Sequence, residues 1–142
     1  MSNEVRAEVV FKGGMRFDGV SGRAGKLVAI DFVFDEGPID GFSPLELLLT
    51  SLAACSGQVA VGLLKRMGRE VKGLTVRARG IKKEIHPKVL TSIELEFEFG
   101  GGTLDGPSIE KALGLSEERF CPVWAMIKAV APIHATYRLV AD

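Results

Sequence analysis

The central apolar segment constrains this chain more than any other feature. Ser43 can cap a helix, Pro44 suits its first position, Glu46 stands where a capping box wants an acid, and Gly68 supplies a stop, which predicts a helix over 44–67. At about 1.5 Å per residue it runs roughly 36 Å, the width of a small domain. Its middle, 47–64, is apolar around nearly the whole circumference, with Ser51, Ala53, Ala54, Ser56, Gly57 and Ala60 set among leucines and valines. Such a helix needs cover on all sides, and its small residues let another backbone approach closely. A chain of 142 residues can hardly enclose it alone, so a homodimer is expected. Glu46, Thr50, Ser51, Ser56, Gln58 and two glycines interrupt the segment, which therefore reads as a buried helix and not as a membrane span.

Strand patterns surround this helix. Residues 4–11 alternate charged with apolar side chains, 15–20 follow the Gly13-Gly14 pair, and 26–34 are rich in Val, Ile and Phe. Residues 35–42 carry two glycines, a proline and acids, and read as a loop. Residues 74–81 and 91–99 alternate as a sheet wet on one face would. Residues 107–120 look helical; Cys121 interrupts them, Pro122 opens a new helix over 122–130, and 134–140 is a last strand. The order predicts an α+β fold, helices covering largely antiparallel sheet, in a single domain over 1–142.

Composition narrows the function. Eighteen Lys and Arg balance eighteen Asp and Glu, with no run of like charges, so nucleic-acid and membrane partners are not expected. The first ten residues lack the apolar stretch of a secretory signal, and a cytoplasmic location is expected. Two cysteines in a reducing compartment point to free, catalytic or redox-sensing thiols. They are too few to close a zinc site, His86 and His134 lie far apart, and neither a metal nor a cofactor is expected.

Four residues could carry chemistry, each with a plainer duty beside it. Cys55 lies in Leu52-Ala53-Ala54-Cys55, where a free cysteine can be no more than a small hydrophobe. It is about three turns into the helix, beyond the reach of the helix dipole, so reactivity would need a cation brought by tertiary structure. Cys121 stands at the cap of the helix opened by Pro122, where free N–H groups favour thiolate; the alternative is a cap with no chemistry. Arg16, after Gly14-Met15, is either a functional cation or a solvated strand arginine paired with Asp18. Glu46 has its capping duty.

Ser43-Pro44-Leu45-Glu46-Leu47 running into Leu52-Ala53-Ala54-Cys55, then Cys121-Pro122-Val123, with Gly14-Met15-Arg16 upstream, resembles the OsmC/Ohr superfamily of osmotically inducible and organic hydroperoxide resistance proteins. The resemblance implies an intertwined homodimer with antiparallel sheets, two long central helices and two active sites at the subunit interface. It also implies a thiol-dependent peroxidase acting on organic hydroperoxides. Cys55 would become a sulfenic acid and condense with Cys121, and a lipoyl-type dithiol reductant would restore both thiols. Arg16 would be the cation for Cys55, and Phe17, Phe42 and Trp124 would favour apolar peroxides. Many typical members carry an acid directly after the motif's proline, paired with the arginine; here that position is Leu45. Glu46 follows about 100° further round the helix, so it either takes over that pairing or acts only as a cap. The alternative function is a non-catalytic dimeric protein that binds an apolar small ligand or senses redox state. A hydrolase or transferase using Cys55 with His86 or His134 as base ranks last.

Overall fold

A computed structural model describes residues 3–140, which fall into two compact units divided between Leu48 and Leu49. The first unit is a meander of β1 (Ala7–Gly13), β2 (Arg16–Ser21) and β3 (Leu27–Ile30), each strand antiparallel to the next. Gly13 and Gly14 take φ of 104° and 58° at the first hairpin, a region that glycine alone enters without strain. Phe11 and Phe17 face each other across β1 and β2, ring centroids 5.5 Å apart. The loop after β3 returns to the sheet through Phe42, whose N–H donates to the Ala29 carbonyl and whose carbonyl accepts from Asp31, each at 3.0 Å. Gly41 permits that approach: its φ is 136°, and a Cβ there would stand 2.5 Å from the Ala29 oxygen.

Helix α1 (Pro44–Arg66) begins and ends as its sequence dictates. The Ser43 N–H donates to Glu46 Oε1 at 2.8 Å and the Glu46 N–H to Ser43 Oγ at 3.2 Å, a reciprocal capping box. At the other end Gly68 has φ 75°, its N–H donates to the Lys65 carbonyl, and the Arg69 N–H reaches back to Leu64. These two bonds are those of a Schellman stop.

The second unit holds β4 (Gly73–Lys82), β5 (Leu90–Gly100) and β6 (Ile133–Val140) in that order. β4 and β5 are antiparallel and β6 runs parallel to β5, so three of the four strand pairings in the two sheets are antiparallel, in keeping with the expected largely antiparallel sheet. The parallel pair follows from its connection: α2 (Gly106–Leu115), one turn of π-helix (Ser116–Phe120) and α3 (Pro122–Ile127) lie between β5 and β6, and a helical crossover of that length returns the chain parallel. Alternation along β5 buries Ile93, Leu95, Phe97 and Phe99 and leaves Glu94, Glu96 and Glu98 on the other face, paired with Arg77, Arg79 and Arg138.

Only one stripe of α1 is covered within the chain. Leu52, Ser56, Ala60 and Leu64 recur every four residues and are buried; a Cβ at Gly57 would meet Val76 at 3.3 Å. Leu48 and Val61, at 40% and 38% exposure, flank that stripe on either side. The expectation of cover on all sides is therefore not met inside a single chain, because one small sheet supplies one covering surface.

Candidate functional site

Two of the sequence candidates come together in the second unit. Cys55 is half-buried on α1; Cys121 is buried at the junction of the π-turn with α3; and the two thiols are near enough for Cys55 to act on the titration of Cys121. Both are free. Cys121 adopts extended backbone (φ −91°, ψ 104°), which Pro122 imposes on the residue before it, and its Sγ accepts the Trp124 N–H at 3.4 Å. The sulfur is thus a true N-cap.

The cap does not make Cys121 a thiolate, and this corrects the expectation drawn from its position. Burial pushes its thiol up from 9.0 to about 11, the neighbouring Cys55 thiol adds to the rise, and the N–H groups of Trp124 and Val123 oppose it. Desolvation outweighs the helix terminus because Cys121 is only 2% exposed. Burial therefore favours the protonated form of Cys121.

The other candidates sit on their own elements. Arg16 opens β2 in the first unit, and its partner is Asp40, not Asp18: Nη2 to Oδ2 is 3.1 Å, with both side chains well exposed. Asp40 is itself fastened, since its N–H donates to Asp31 Oδ2 at 3.0 Å. Asp31 also accepts the Phe32 N–H at 2.8 Å, and the Asp40 and Phe32 amides, with nearby Arg16, hold its carboxyl below the usual carboxylate range. Sequence reasoning missed both aspartates, and no periodic signal marks them because they lie at the ends of an irregular loop. Glu46 occupies the capping box with Ser43. Phe17 and Phe42 are partly exposed in the first unit, whereas Trp124 is 1% exposed in the core of the second.

Comparison with known proteins bears on the fold and the family. A family model described as OsmC-like protein matches residues 36–136. Protein YhfA of Escherichia coli K12 is 27% identical over 137 residues, covering 96% of this chain and 99% of its own length. A hypothetical protein from Aquifex aeolicus VF5 superposes with a TM-score of 0.87 at 26% identity, covering 99% of both chains. The organic hydroperoxide resistance protein OhrB of Bacillus subtilis shares the fold, with a TM-score of 0.65 at 20% identity over 94% of this chain and 98% of its own.

Proposed function

We propose that this chain, which belongs to the OsmC-like protein family, is a thiol-dependent peroxidase reducing organic hydroperoxides through Cys55, with Cys121 as the resolving thiol. One observation supports the reading: the two free cysteines, far apart in sequence, are neighbours, one half-buried and one buried. A protonated Cys121 does not compete for peroxide, and it waits beside the sulfur it must attack. Solved relatives named as organic hydroperoxide resistance proteins share the fold and suggest the substrate class.

The Cys55 sulfur attacks the distal peroxide oxygen, the O–O bond breaks, and the leaving alkoxide takes a proton to become the alcohol. Cys121 then attacks the sulfenic sulfur; its proton departs with the hydroxyl as water and a disulfide remains. A lipoyl-type dithiol reverses that bond by exchange. Arg16 is the proposed cation of this chemistry, and Asp40, not an acid after Pro44, is its carboxylate partner. The working form is proposed to be a cytoplasmic homodimer, which the incomplete cover of the apolar helix α1 within one chain supports.

The test is consumption of cumene hydroperoxide with reduced lipoamide. Cys55→Ser is expected to abolish it; turnover undiminished in that variant contradicts the proposal. Leu45, standing where typical members carry an acid, favours a second reading as a non-catalytic dimer that binds an apolar ligand. A wild-type protein that binds such a ligand and leaves the peroxide untouched would establish it.

A further inference from the structure

The π-turn before Cys121 has a geometry that the proposed reaction leaves unused. Ser116 ends α2 in helical backbone (φ −60°, ψ −48°), its N–H donating to the carbonyls of Ala112 and Leu113. If the α-helix ran on, the Cys121 N–H would donate to the Glu117 carbonyl, four residues back. It donates instead to the Ser116 carbonyl, five residues back, at 3.0 Å. One extra residue in a helical turn moves everything after it about 100° round the axis. The carbonyl that this displacement orphans is not wasted, since Lys128 Nζ donates to the Glu117 oxygen at 3.2 Å.

Ser116 also reaches α1. Its side chain is fully buried, and Oγ lies 3.5 Å from the carbonyl oxygen of Ser56, the residue after Cys55, at the long end of the hydrogen-bond range. Ser56 is fully buried too, its own hydroxyl spent on the Leu52 carbonyl at 2.8 Å. Through one residue, therefore, the backbone of Cys121 and the backbone beside Cys55 are tied to a common point.

We infer that Ser116 is a positioning residue, which sets the rotation of the π-turn so that Cys121 Sγ lies on Cys55, and that its hydroxyl favours disulfide closure over further oxidation of Cys55. The competition it governs is between two fates of the Cys55 sulfenic acid. Condensation with the Cys121 thiol forms the S–S bond and releases water. A second hydroperoxide instead gives the sulfinic acid and a second alcohol, a largely irreversible end. Geometry enters only the first fate, because only it needs two protein sulfurs aligned.

This inference rests on the peroxidase reading, so two oxidants separate them. Reduced protein is treated with increasing cumene hydroperoxide without reductant, blocked with N-ethylmaleimide, and Cys55 peptides are counted by mass spectrometry as disulfide or sulfinic acid. In Ser116→Ala the peroxide concentration giving equal amounts is expected to fall about fivefold, the effect of one hydrogen bond. Exposed Lys128→Ala, which releases the Glu117 carbonyl without touching the core, should shift it the same way by about twofold. A partition unchanged in both variants overturns the inference. If peroxide leaves wild-type Cys55 unmodified, the peroxidase reading fails by itself, and diamide, which takes two hydrogens from a dithiol, then decides. Closure of the Cys55–Cys121 disulfide by diamide should be slower in Ser116→Ala than in wild type; equal rates overturn the role of Ser116.

Discussion

Among the described residues, every large apolar side chain that is fully buried belongs to the second unit, from Leu52 through Phe97 and Phe99 to Trp124. In the first unit Phe11, Phe32, Phe34 and Phe42 are all exposed to a large degree. The first unit is ordered by strand pairing and glycine turns. The second has a core of its own, close-packed enough to fix where a sulfur lies. The contrast divides the proposed chemistry: the thiol pair depends on packing, whereas Arg16 depends on an exposed ion pair with Asp40, and pairs of that kind contribute little to stability.

The largest expected effect probes packing. Trp124→Ala should cost about 3–5 kcal/mol in urea unfolding, since it empties the core beside Cys121. Phe11→Ala, at a site 61% exposed, should cost far less, and equal losses would break the distinction between the units. Next comes pH. The folded Cys121 thiol titrates near 11 and its unfolded counterpart near 9.0, so the unfolded chain sheds its proton first as pH rises. Stability should be fully present below about pH 9 and fall between 9 and 11, by on the order of 1–3 kcal/mol. Cys121→Ala should remove that slope, and a stability curve still falling identically in the variant would assign the loss elsewhere. The smallest effect on stability belongs to the first unit. Asp40→Asn should leave the melting temperature within the scatter of the measurement, yet lower peroxide turnover several-fold by freeing the Arg16 guanidinium. Loss of stability without loss of turnover would reverse the assignment.

Local signals in the sequence carried much of the fold. Ser43, Pro44, Glu46 and Gly68 bracket α1 to within a residue because capping chemistry is local, and alternation along β5 identifies its buried face. The direction of β6 was less legible: alternation shows which side chains face inward and says nothing of a strand's partner, although the helical connection before it was a usable sign. The helical stretch over 107–120 also hid its π-turn, because an extra residue in a turn leaves no mark in composition.

For the site, the limits are those of burial and loops. The cap at Cys121 was visible, and the desolvation that outweighs it was not, since burial is a property of packing. That Cys55 and Cys121 are neighbours came only from the family resemblance, and Asp40 sits in a segment where no period operates. Leu45 advertised a missing acid; the carboxylate that Arg16 finds instead comes from the loop after β3.

The central claim is that Cys55 and Cys121 act as one redox pair, and the most direct measurement is peptide mapping after one equivalent of cumene hydroperoxide. The account predicts a protein lighter by two hydrogens, with a single linked peptide pair joining Cys55 to Cys121. Cys55 carried to sulfinic acid with Cys121 still free, or both thiols unchanged, would contradict it.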